Sequence, residues 1–283
     1  MNEKTKAAGI SVFSNTSLVI FKLITGFITG SVSILSEAIH SAMDLLAAVI
    51  AFFAVRISDT PADKGHPYGH GKYENVSGII EALLILLASG WIIYEAVVKI
   101  LHPGPIESIG LGSVVMFVSA VANFFVSRYL YKVAKKTDSI ALEADALHLK
   151  TDVYTSLGVA IGLLLIWATG WHFLDSVIAV FVATLIVKEA VHLLRAAYAP
   201  LLDASLSESE VEVIKDSIKS HNLSFHALRT RKAGHYRFAE LHLEVAPDIS
   251  VGMAHEMCDM IEKDIMEKIK NIEVSIHVEP LSS

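Results

Sequence analysis

Two short spacings carry the first chemistry. His40 precedes Asp44, and His148 precedes Asp152, each at i, i+4. On a helix that spacing puts both side chains on one face. Both pairs fall inside apolar runs, where an ionisable residue is costly and marks a functional site by default. A single pair could satisfy itself by hydrogen bonding within its own helix. Two copies of H-x-x-x-D favour a shared site instead, because the two faces together offer two imidazole nitrogens and two carboxylate oxygens. That is a tetrahedral donor set suited to zinc. Glu37 precedes Asp44 by two helical turns and is either a solvated residue near the helix start or an auxiliary ligand or proton acceptor. Lys22, Asn15, Glu81 and Asn123 also fall in or near apolar runs and are read as packing or snorkelling groups.

Two further histidine groups lie in polar stretches. In the segment from Asp63 to Lys72, Asp63, His66 and His70 have the residue types and spacing to wrap one metal, with Pro67 and the glycines supplying turns. A polar surface loop with incidental histidines is the competing reading. Near the C-terminus, alternation puts Val274, Ile276 and Val278 on one strand face and His277 with Glu279 on the other. His242, between Leu241 and Leu243, presents likewise, and His226 and His255 are placed to complete a metal platform. His102, His172, His192, His221 and His235 have no assignment.

The elements that must hold these residues follow from hydropathy. Six segments, at 9–29, 33–57, 76–101, 109–133, 142–169 and 173–199, reach the roughly 20 apolar residues that a bilayer core requires. The first follows Lys4 and Lys6 but is too long for a secretory signal, so it reads as a retained helix. Lys4, Lys6, Arg56, Lys64, Lys72, Lys132, Lys135, Lys136 and Arg195 gather at the N-terminus, two alternate connections and the last exit. The connections around Gly30, from His102 to Gly110 and around Gly170 carry no Lys or Arg. Both termini are therefore expected in the cytoplasm. Ser207 with Glu210 forms a capping-box signature opening a tail helix to about His221. A hairpin around Gly234, a helix capped by Ser250 and a last strand at 274–278 complete an αββαβ order, compatible with a ferredoxin-like sandwich. The expected division is a transmembrane transport domain at 1–203 and a cytoplasmic domain at 204–283.

Composition narrows the class. The chain has 53% hydrophobic and 19% charged residues, which is too apolar for an ordinary soluble domain. A net charge of -7 argues against nucleic-acid binding. The single cysteine, Cys258, excludes intrachain disulfides and Cys-rich zinc modules, so any metal must rest on the thirteen histidines and on carboxylates.

With these residues in place, the sequence resembles the cation diffusion facilitators, most closely their bacterial zinc/proton antiporters. The resemblance runs from TGSVSIL at Thr29–Leu35 through HPYGHGK at His66–Lys72 and LRTR at Leu228–Arg231 to the terminal IHVEP. It implies a homodimer of six-helix protomers in a bacterial inner membrane, exchanging Zn2+ for protons. It makes His40, Asp44, His148 and Asp152 the transport site and Asp63, His66 and His70 the loop site. His226, His242, His255, His277 and Glu279 fall at a binuclear tail site that stabilises the dimer in relatives. Lys72 and Asp203 match a charge pair that locks the two membrane domains together. Some relatives have Asp at the position of His40, and the His version goes with zinc over cadmium. Glu279 stands where Asp is usual, and its extra methylene loosens the tail site.

Three alternatives remain at this stage: a transporter of manganese, iron, cobalt, nickel or cadmium; a membrane-anchored metal sensor; and an intramembrane metalloenzyme. The last needs an open coordination position and a nearby base. Four closed ligands argue for transport rather than catalysis.

Overall fold

A computed structural model describes residues 2–29, 32–101, 111–169 and 173–281. The Lys- and Arg-free connections around Gly30, His102–Gly110 and Gly170, with His102 and His172, lie outside the described residues, as does the side chain of Glu37. The chain divides into two compact units, Met1–Tyr198 and Ala199–Ser283.

The first unit holds six long helices: α1 (Glu3–Thr29), α2 (Val32–Ser58), α3 (Lys72–Leu101), α4 (Leu111–Thr137), α5 (Ile140–Thr169) and α6 (Phe173–Tyr198). Helices α1, α3, α4 and α5 start earlier or end later than their apolar runs. The extra turns of α1, α3 and α4 carry charged residues that hydropathy trims away, such as Glu3, Lys72 and Lys135. Among the described residues, four stretches are long and apolar enough to cross a membrane: Glu3–Ile28, Ala38–Ser58, Lys72–Val98 and Ser176–Leu202. Helices α4 and α5 are not among them; the described side chains of α5 end at Gly158 and include Glu143, Asp145, Lys150 and Asp152.

The tightest pairings are α3 with α6, α1 with α2 and α4 with α5. Small residues permit them: Ala7, Ala8, Ala54, Ala134, Ala141 and Ala146 sit in one buried cluster with Leu130, Leu142 and Leu149. At Gly78 a Cβ would lie 3.2 Å from Ala197 Cβ, so α3 and α6 approach as closely as they do because nothing larger than hydrogen stands there. Phe13, Phe27, Ile28, Leu87, Trp91, Phe117 and Phe125 point outward and stay exposed, as lipid-facing side chains should.

Near one end of the bundle, Glu74 of α3 is fully buried yet satisfied. It accepts from Lys4 Nζ of α1 at 2.9 Å, from Ser58 Oγ of α2 at 2.7 Å and from Ser139 in the α4–α5 turn. Lys4 also reaches Asp59 at 2.6 Å.

The second unit opens with a 3-10 turn (Ala199–Leu202), followed by α7 (Glu208–Ser220), β1 (Ser224–Ala233), β2 (Tyr236–Val245), α8 (Val251–Lys268) and β3 (Ile272–Pro280). This is the expected αββαβ order. Ser207 and Glu210 cap each other reciprocally at α7, and Ser250 caps α8. Gly234, with φ 60°, turns the hairpin. The sheet order is β1-β2-β3, with β1 antiparallel and β3 parallel to β2. Ile214, Ile218, Ile261 and Ile265 of the helices pack with Leu241, Leu243 and Val274 of the sheet in a single core. The alternate strand positions are thereby left to the opposite face, where the histidines stand.

Candidate metal centre

Helices α2 and α5 are in contact, and the two H-x-x-x-D faces meet there. One donor atom each from His40, Asp44 and Asp152 lies within 4.8 Å of the others. The fourth residue is joined to this group by a hydrogen bond rather than by equal proximity: His148 Nε2 is 3.0 Å from Asp44 Oδ1. Asp44 and the His148 side chain are almost wholly buried. A cavity of about 90 Å³ opens between the donors, lined also by Lys22 of α1, Ser119 and Asn123 of α4, and Thr155 and Ser156 of α5.

Two residues that sequence reading left as packing groups belong to this site. Asn123 Nδ2 donates to Asp152 Oδ2 at 3.1 Å, fixing one carboxylate oxygen and leaving the other to face the cavity. Lys22 Nζ donates to Ser41 Oγ at 2.8 Å, which sets a positive charge on the cavity wall close to two carboxylates. The available signal was a polar residue inside an apolar run. What could not be read was which helix it would face.

The loop group is assembled by its own backbone. Asp63 Oδ1 accepts from Gly65 N at 2.8 Å and His66 N at 2.7 Å, while Gly69, at φ 79°, returns its N–H to His66 O at 2.9 Å. The His66 backbone N–H, with help from Gly65 and the two imidazoles, outweighs desolvation and holds the Asp63 carboxyl below the usual carboxylate range. His70 Nδ1 meets Thr60 O at 3.3 Å and turns Nε2 to within 3.5 Å of Asp63 Oδ2. A ring anchored through one nitrogen so that the other faces a shared point is how proteins orient an imidazole for a metal. Donor atoms of Asp63, His66 and His70 all lie within 4.8 Å of one another.

In the tail, register does the assembling. His226 pairs across with His242, and His242 with His277, so three imidazoles form a row across three strands. A bulge between His226 and Arg229, with Ala227 at φ 52°, shifts the rest of β1. Glu279 Oε2 is 3.2 Å from His226 Nε2, and Glu279 Oε1 is 2.9 Å from His242 Nδ1, the latter at ion-pair distance without hydrogen-bond alignment. His226, His242 and Glu279 make a compact donor trio. His277 Nε2 lies 3.5 Å from the same Glu279 oxygen. Glu244, absent from the sequence reading, joins through His226 Nδ1 at 3.2 Å. Its position two residues after His242 on β2 was the available signal. His255 is not brought to this group within one protomer; it lies on α8, exposed, 3.6 Å from Asp259.

Lys72 opens α3 in the first unit, and Asp203 lies in the second unit, 3.6 Å from Arg231 Nη1.

Residues 9–202 match the cation efflux transmembrane domain, and residues 206–281 match the cation efflux protein cytoplasmic domain. Among curated relatives, an uncharacterized transporter, sll1263, from Synechocystis is 38% identical over 90% of this chain and 83% of its own. The cation-efflux pump FieF from Salmonella newport is 30% identical over 98% of this chain and 93% of its own. Among solved structures, the metal-bound C-terminal domain of the CzcD transporter from Thermotoga maritima is 33% identical, covering 28% of this chain and 98% of that one, with a TM-score of 0.24.

Proposed function

The chain belongs to the cation efflux family, and from that premise we propose that it carries a divalent transition metal, Zn2+ first among them, out of the cytoplasm in exchange for protons. The observation that carries this reading is the meeting of His40, Asp44 and Asp152 around one cavity, with His148 bonded to Asp44. Two nitrogens and two oxygens suit zinc. Cobalt, nickel, iron, manganese and cadmium are the competing cargoes on donor chemistry. Two carboxylates offset the charge of a dication, so the loaded site need not place a bare ion in lipid.

Exchange follows from the ligands. An imidazole nitrogen holds either a proton or a metal, never both. A dication entering between Asp44 and His148 takes the place of the proton that now joins them. With the site alternately open to the two sides of the membrane, an inward proton gradient then drives the metal outward.

In this reading all six long helices cross the membrane, with both termini and the tail in the cytoplasm of a bacterial cell. Helix α5 crosses despite its charges because Asp152 faces the transport site, Asp145 is buried, and Glu143 is paired with Lys135 near the helix start. The tail is a ferredoxin-like layer that begins at α7, and it pairs two protomers. The loop trio and the tail trio hold metals that regulate or staple the dimer, with His255 serving from α8 and Lys72 and Asp203 joining the membrane halves. The tail row also supports a second reading, a membrane-anchored metal sensor. That reading leaves the cavity between α2 and α5 without a purpose.

Zinc flux into proteoliposomes, with and without an imposed pH gradient, tests the proposal. Gradient-dependent flux that Asp152→Ala abolishes is the expected result. Equal flux in both proteins removes the α2–α5 site from the pathway and brings the sensor forward.

A further inference from the structure

Two buried acids take no part in the site just described. Glu81 of α3 is 0% exposed and Asp145 of α5 is 1% exposed, and each lies within the electrostatic reach of the other. Each has one orphaned carboxylate oxygen, Glu81 Oε2 and Asp145 Oδ2. The remaining contacts are thin: Ser77 Oγ reaches Glu81 Oε1 at a long 3.5 Å, and Ser11 of α1 bonds Asp145. The neighbouring positions Ala82 and Ala144 belong to one apolar cluster with Ile85, Ile186 and Ala190.

No lysine or arginine offsets the pair among the described residues. On α1, Lys4 is engaged by Glu74 and Asp59, and Lys22 by Ser41. On α6, Lys188, His192 and Arg195 are exposed, as is Glu189. On α2, Asp44 is bonded to His148. In α5 the charge of the His148 imidazole, three residues past Asp145, reaches the pair, but its Nε2 is engaged by Asp44 and its Nδ1 is buried without a partner.

Two carboxylates within reach of each other and out of water cannot both be ionised. From the orphaned oxygens, the apolar surround and the absence of a lysine or arginine partner among the described residues, we infer that Glu81 and Asp145 hold one proton between them and form a proton-binding site separate from the metal ligands. The pair has no imidazole of its own and does not line the α2–α5 cavity, which favours a proton over a second metal. Asp145 is one helical turn from His148, about 5–6 Å between Cβ atoms. A dication arriving at the transport site therefore lowers the pair's hold on its proton, which leaves to the medium. This coupling rests on the transport-site reading above; the shared proton itself does not.

Two measurements on the full-length chain decide the matter. The infrared spectrum of metal-free protein at neutral pH is expected to show the carbonyl stretch of a protonated carboxylic acid, changed by Glu81→Gln and by Asp145→Asn but not by Glu95→Gln. A spectrum that neither pair variant alters overturns the inference whatever the metal does. Protons released on zinc addition, counted with a pH indicator, test the coupling after subtraction of the Asp152→Ala value. Each pair variant is expected to release about one proton fewer per zinc than the native chain, and an unchanged count overturns the coupling. If native and Asp152→Ala release equal numbers, the transport-site reading has failed, and the infrared result still decides the pair.

Discussion

His148 Nε2 of α5 lies 3.0 Å from Asp44 Oδ1 of α2, joining the two H-x-x-x-D motifs across 104 residues of sequence. In the proposed transport cycle this bond makes His148 the proton-linked member of the quartet, while His40, Asp44 and Asp152 surround the cavity. Loading therefore has a local cost that depends on pH, because the proton shared by Asp44 and His148 must leave. Zinc then competes with a proton for the imidazole, and apparent affinity should fall about tenfold per pH unit for each proton displaced. Competitive zinc titration from pH 5.5 to 8 on protein lacking the loop and tail imidazoles measures that slope. A flat profile would separate metal from proton.

Asn123 positions Asp152 without touching the metal in this account. Asn123→Ala leaves the carboxylate free to rotate, and the expected loss in affinity is about 10–100-fold, the usual consequence of removing an outer partner. Asn123→Asp adds a like charge beside Asp152 and should be worse. Isothermal titration on the same background protein distinguishes the two.

Glu74 ties three segments of the bundle together, taking bonds from α1, α2 and the α4–α5 turn. Removing one partner of a buried charge pair typically costs about 3–5 kcal/mol. Glu74→Ala should lower the midpoint of thermal unfolding in detergent markedly. Ser58→Ala, which deletes one neutral donor, should cost about 1 kcal/mol.

Asp63 separates turn from ligand. Asp63→Asn retains an oxygen for the Gly65 and His66 N–H groups, so the loop keeps its form, yet its weaker donor should release the loop metal. Because the native Asp63 carboxyl sits below the usual range, it stays ionised as pH falls toward 5. Any loss of loop metal between pH 7 and pH 5 then belongs to the imidazoles. Metal counts on the native and Asp63→Asn proteins across that range test both statements.

In the tail, burial pushes the Glu210 carboxyl upward, but Arg237 Nε at 2.6 Å and Ser207 outweigh it and leave it below the usual value. A depressed carboxylate stabilises above its unfolded pKa of about 4.3, and that contribution drains away as pH drops through the folded value. Ser207→Ala should loosen α7 by about 1 kcal/mol. Hydrogen exchange of the α7 amides in the full chain should quicken about fivefold, with α8 unaffected.

Much of this was legible in the sequence for local reasons. The i, i+4 spacings, the Ser207 and Ser250 caps, the turn at Gly234 and the alternation around His277 are fixed by neighbours within a few residues. Other features depend on contacts between distant segments. Asn123 and Glu81 look alike as isolated polar residues in apolar runs, yet one holds Asp152 and the other faces Asp145. Asp145 itself was hidden among the charges that open α5. The β1 bulge and the place of Glu244 follow from register, which alternation alone does not set. His255 fits the tail pattern by resemblance but stands away from the trio in a single protomer.

In the proposed cycle the cargo is held between α2 and α5 by two imidazoles and two carboxylates. Zinc K-edge X-ray absorption on full-length protein, with His66, His70, His226, His242 and His277 replaced by alanine, tests it most directly. One zinc per chain bound by nitrogen and oxygen only is expected, with imidazole scattering reduced in His148→Ala and metal lost in Asp44→Ala. A spectrum unchanged by both substitutions would place the ion elsewhere and contradict the account.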